Sequence, residues 1–144
     1  MELLRLNDIR IGDWFVHVHG RGLLKIFTVE TFCACENHWG EIVAVDHREL
    51  MPVGLSKAVL EHCGFKEQCG TYYLDSTIIY NPMAKQVAYF DECAYHGVPW
   101  RVEYLHQLQH IVYEMTGKEL ECNMRGLTNE IMNRSKDYGN TSEI

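Results

Sequence analysis

Only one stretch of this 144-residue chain carries a long helical period, and that restricts the fold to a mainly β one with a late helix. At 100° per residue across Arg101 to Glu121, Tyr104, Leu105, Leu108, Ile111, Val112 and Met115 fall on one arc. Thr116-Gly117 supplies a stop. His106, Gln109, His110 and Tyr113 occupy i, i+3, i+4 and i+7 beside that arc, a polar and aromatic row at binding-compatible spacing.

The rest reads as short strands. Trp14, Val16 and Val18 alternate with Phe15, His17 and His19, and Gly20-Arg21-Gly22 marks a turn. Leu23 to Thr31 continues extended, residues 33 to 40 (CACENHWG) read as a polar loop, and Glu41 to Asp46 is a further strand. Pro52 confines Leu50-Met51 to a sheet edge. Strands this short and this close together predict a small SH3-like β-barrel over residues 1–54. Ser56 then caps a short helix carrying Val59, Leu60 and Cys63 on one face, with Gly64 at its end. Tyr72 to Leu74, Thr77 to Tyr80 and Gln86 to Phe90 predict an antiparallel hairpin set. The expected fold class is therefore α+β: a barrel, an α+β part over 55–121 ending in the amphipathic helix, and a polar, partly disordered extension over 122–144.

Charge and composition exclude several functions. The net charge is −7, from 13 Lys and Arg against 20 Asp and Glu, and no three basic residues are adjacent. Duplex nucleic acid, bound chiefly through phosphate neutralisation, is not an expected partner. No apolar run approaches the roughly 18 residues of a membrane span, and MELLRLNDIR lacks the pattern of a signal peptide. The expectation is a cytoplasmic protein with no membrane association. Six cysteines then read as reduced thiols rather than a disulfide framework.

Candidate chemistry is sparse. Cys33, Cys35 and His38 form CxCxxH, a weak zinc alternative that matches no standard finger spacing and lacks a fourth ligand. His106 and His110 lie one turn apart, but Gln107, Leu108 and Gln109 stand between them, so the glutamate base of HExxH is missing. Cys63 and Cys69 are too far apart for CxxC, and Cys93 with His96 shows no oxyanion-stabilising group. Phosphate-loop, nucleophile-elbow and calcium-loop patterns are absent from the sequence. No cofactor and no enzymatic activity are expected. Trp14, Phe15, His17, His19, Trp39, Trp100 and Arg101 supply stacking planes and a guanidinium of the kind a nucleotide pocket uses. Of these, Trp14, His17, His19, Trp100 and Arg101, with His106, Gln109 and Tyr113, make up the expected ligand-binding set.

Four segments also carry a resemblance: LRLNDIRIGDWF, LMPVGLSKAVLEHCGFKE, YYLD and VEYLHQLQHIVYEMTGKELE, in that order. Together they resemble a family of small uncharacterised proteins of gut Bacteroidota and their bacteriophages. The likeness spans roughly residues 4 to 121, and Leu105 to Gln109 match its C-terminal helix motif. His110 departs from the asparagine usual there, and CxCxxH lies outside the shared segments. The resemblance implies a phage or mobile-element protein, and with no catalytic set in the sequence the expectation is a non-enzymatic one that binds a host factor. The leading expectation is sequestration of a small nucleotide-like signal in an anti-defence role. The alternative is a protein-interaction module that binds or inhibits a host protein, with metal binding or catalysis third and homo-oligomerisation open.

Overall fold

A computed structural model describes residues 8–18, 22–37, 39–90, 94–99 and 101–123. The chain is α+β and divides into two compact units, the described residues up to Val53 and Gly54–Asn123. Of the expected 122–144 extension, residues 124–144 lie outside the described residues.

The first unit is a five-stranded antiparallel sheet in the order β4-β3-β2-β1-β5. Its strands are β1 (Trp14–His17), β2 (Leu23–Ile26), β3 (Phe32–Glu36), β4 (Ile42–Asp46) and β5 (Leu50–Pro52). A 3-10 turn, His47–Glu49, joins β4 to β5. Alternation decides which face is buried. Phe15, Leu24, Ile26, Cys33, Cys35, Val45 and Leu50 form the core together with Ile9, and Val43 packs against them. The period-2 reading of β1 therefore resolves in favour of Phe15 and His17 as the inner face, with Trp14 and Val16 outside.

Here the structure corrects one expectation. Phe32 to Glu36 is a strand, not part of a polar loop, and the loop shrinks to the turn between β3 and β4. The alternation of FCACE explains it: two small thiols point inward while Phe32, Ala34 and Glu36 point out. The two sheets are open, since neither β4 nor β5 has a second partner strand among the described residues.

The second unit begins with α1 (Lys57–His62). Ser56 Oγ accepts from the Val59 N–H at 3.3 Å, the N-cap expected from the sequence. A second antiparallel sheet follows in the order β10-β9-β8-β7-β6. It comprises β6 (Lys66–Gln68), β7 (Thr71–Leu74), β8 (Ile78–Asn81), β9 (Gln86–Phe90) and β10 (Tyr95–Gly97). The edge strands β6 and β10 are wholly exposed and carry no apolar alternation, which is why periodicity passes over them.

The helix α2 runs Leu105–Thr116, shorter at both ends than its periodic pattern. Gln107 Oε1 accepts from the N–H groups of Glu103 at 2.9 Å and Tyr104 at 3.2 Å, satisfying donors that the helix start leaves open. Gly117 ends it at φ 72°, in the left-handed region that a side chain disfavours. Leu105, Leu108, Ile111 and Val112 are buried, and so are His106 and Gln109. Tyr80 ties the helix entry to the sheet, its hydroxyl donating to the Val102 carbonyl at 2.8 Å.

Candidate binding surface

The four sheet edges differ in how they are protected. Exposed edge strands offer unpaired backbone groups to any extended chain, and proteins commonly blunt them with charge, proline, glycine or brevity. β5 is three residues long and ends in Pro52, β6 reads Lys-Glu-Gln, and β10 is three residues ending in Gly97. β4 has none of these devices. It is five residues, Ile-Val-Ala-Val-Asp, with its only charge at the last position.

Exposed apolar side chains stand at both ends of that edge, Phe32 opposite Asp46 and Trp39 in the turn before Ile42. Ile42 is 55% exposed, Phe32 60% and Trp39 72%. The turn from β3 to β4 displays Trp39 for a local reason. Asn37 Oδ1 accepts from the N–H groups of Trp39 and Glu41, both at 3.0 Å, and the Asn37 N–H donates to the Glu41 carbonyl at 2.9 Å. Gly40 completes the turn at φ 80°. The indole is thus held at the tip of a tight hairpin, next to the start of β4.

The register extends this surface across the sheet. Trp14 pairs with Lys25, Lys25 with Glu36, and Glu36 with Ile42, a single row on the outer face. Lys25 Nζ lies 5.9 Å from the Trp14 ring centroid, a cation–π contact. Glu30 precedes β3, while Glu36 and Glu41 flank the hairpin, so carboxylates stand near both ends of the β4 edge. Asp46 adds little net charge because Arg48 neutralises it in a two-pronged pair.

The residues expected from sequence to bind a ligand are distributed differently. Trp14 and His17 belong to the first unit, and Arg101, His106, Gln109 and Tyr113 to the second. His19, Trp100 and His38 lie outside the described residues. His17 faces inward, its Nε2 3.1 Å from Glu49 Oε2, so its ring is not a stacking plane. Arg101 pairs with Glu103 at 2.9 Å, and the same carboxylate oxygen meets Lys85 at 3.4 Å. The helical row splits: His106 and Gln109 are buried while Tyr113 is 48% exposed. His106 stacks on Tyr104 with centroids 6.1 Å apart and meets the His110 ring edgewise at 5.8 Å. Those contacts make it part of the helix packing.

The zinc alternative meets a physical objection. Cys33 and Cys35 are both fully buried in the core of the first unit. Each thiol donates to a carbonyl, Cys33 to Glu30 at 3.3 Å and Cys35 to Cys33 at 3.6 Å. Burial, and then the neighbouring Cys33, push the Cys35 thiol up to about 12. Zinc takes thiolates, and burial disfavours the thiolate of Cys35.

Sequence reasoning passed over Phe32, Ile42 and Asn37, although FCACE alternation was the available signal for the first. Comparison with known proteins gave no match: no family model, no curated protein and no solved structure aligns with the chain.

Proposed function

We propose that this chain is a non-enzymatic protein-binding module that captures an extended segment of a partner protein along β4. The observation that carries this reading is the apolar edge strand Ile42–Asp46, which has no second partner strand among the described residues and has exposed Phe32 and Trp39 near its two ends. An added strand would gain main-chain hydrogen bonds from β4, while its alternate side chains would lie beside Ile42 and Ala44 on the outer face. Glu30, Glu36 and Glu41 favour a segment whose apolar core is flanked by Lys or Arg. Trp39 is the natural anchor, since large aromatics dominate interface energies.

The first unit is read, within this proposal, as an SH3-like barrel. Its strand order and the 3-10 turn between β4 and β5 support that reading. The resemblance to phage and Bacteroidota proteins favours a host protein as the partner. Nucleotide sequestration has less behind it, because His106 and Gln109 are buried and the Arg101 guanidinium is engaged by Glu103.

The test is direct. Phe32→Ala, Trp39→Ala and Ile42→Lys are expected to remove binding of selected extended peptides without unfolding the chain. A panel of cyclic and ADP-ribose nucleotides that raised the melting temperature while peptides did not bind would reverse the proposal.

A further inference from the structure

Cys63 and Cys122 are 59 positions apart in sequence, yet their sulfurs lie 3.4 Å apart, both in the thiol form. A disulfide is about 2.05 Å long, so roughly 1.4 Å of approach separates contact from bond. The surrounding backbone holds them there. The Asn123 N–H donates to the His62 carbonyl at 3.0 Å, and His62 Nδ1 lies 2.8 Å from the Asn123 carbonyl. These two contacts join the residues immediately next to the two cysteines. Leu120, buried two residues before Cys122, anchors the same segment. The Cys63 thiol is directed at Cys122 Sγ, and the Cys122 thiol at the Leu120 carbonyl at 3.6 Å.

Cys63 and Cys122 also line a groove of about 1250 Å³ within the second unit, and Cys122 is only partly buried. Cys69, the cysteine nearest to Cys63 in sequence, is exposed and sits in the turn that leads into β7.

We propose that Cys63 and Cys122 form a reversible disulfide that staples the segment after α2 to the end of α1 in response to hydroperoxide. Cys122, the more exposed of the two, reacts first. Its sulfur attacks the peroxide O–O bond, becomes a sulfenic acid and releases water. Cys63 sulfur then displaces the sulfenic hydroxyl as a second water, forming the S–S bond. In sum, two thiols and one hydrogen peroxide give one disulfide and two waters. A dithiol reductant reverses the step by exchange.

The experiment treats the full-length reduced protein with stoichiometric hydrogen peroxide, quenches with an alkylating agent under denaturing conditions, and maps peptides by mass spectrometry. The expected product is monomeric, lighter by two hydrogens, with a Cys63–Cys122 linked peptide that dithiothreitol releases. Closing so long a loop should also raise the melting temperature of the oxidised form by more than about 5 °C. Cys122→Ser should abolish both changes, and the wild-type peptide map stands without it should that variant fold poorly. Sulfinic acid on Cys122 with Cys63 still alkylated, a linkage to Cys69, or an intermolecular dimer would each overturn the proposal.

Discussion

Arg48 grips Asp46 with two prongs, its Nε donating to Oδ1 at 3.0 Å and its Nη2 donating to Oδ2 at 2.7 Å. The Arg48 backbone N–H adds a third bond to Oδ1 at 2.9 Å. Asp46 is the last residue of β4, so this pair fixes where the exposed strand ends and the 3-10 turn begins. The Arg48 side-chain bonds, and after them its N–H, hold the Asp46 carboxyl well below the usual carboxylate range. A lowered folded-state value means the pair stabilises the fold above the unfolded value, about 3.9, and loses that contribution as pH falls below it. Asp46→Asn should therefore melt a few degrees below wild type at pH 7. Thermal scans should show the gap closing from about pH 4 toward pH 2. A gap that did not change with pH would contradict this assignment.

Gln107 Oε1 accepts from the N–H groups of Glu103 and Tyr104, the two residues that lead into α2. Gln107→Ala should cost about 1 kcal/mol in urea unfolding, the usual scale for losing a cap. Gln107→Glu keeps an acceptor at the same place and should recover most of it.

His106 and Tyr113 belong to one row in sequence and to opposite environments in the structure. His106→Ala removes a buried ring packed between Tyr104 and His110, and should destabilise by about 1–3 kcal/mol. Tyr113→Ala, on the exposed face, should stay within about 0.5 kcal/mol of wild type. Equal effects in chemical denaturation would show that the burial pattern of α2 is misread.

Cys35 is buried with its thiol pushed up to about 12. Iodoacetamide at pH 8 should therefore leave Cys35 unmodified in the folded protein while exposed Cys69 is alkylated. Mass mapping before and after adding guanidinium reads this directly. Rapid native labelling of Cys35 would revive its candidacy as a metal-ligating thiolate.

Local signals recovered much of the architecture. Ser56, Gly117 and the alternation of Trp14 to His17 act through their immediate neighbours, so the caps and the strand period can be read from sequence, while which face of β1 turns inward had to come from the structure. Gln86 to Phe90 was likewise legible, with the bounds that β9 has. What escaped depends on pairing. β6 and β10 lack periodicity and exist because β7 and β9 hold them. His106 and Gln109 carry polar labels but are buried, an outcome of how α2 is rotated rather than of residue type. Cys122 acquires its meaning only beside a residue 59 positions earlier. The binding edge is a property of strand order. No composition of Ile42 to Asp46 announces that, among the described residues, the strand has one neighbour instead of two.

The central claim is that β4 receives an extended partner segment. Panning a displayed library of random 12-residue peptides, with the Ile42→Lys protein as a counter-selection, and then measuring amide hydrogen exchange with a selected peptide bound, tests it most directly. The account predicts enriched sequences that alternate apolar residues between Lys or Arg flanks, with new protection at Ile42–Asp46 and around Trp39. Phe32→Ala and Trp39→Ala should each weaken binding at least about tenfold while changing stability by less than about 0.5 kcal/mol. No enrichment over the Ile42→Lys protein, protection confined to the second unit, or a β4-mediated dimer of the chain itself would contradict it.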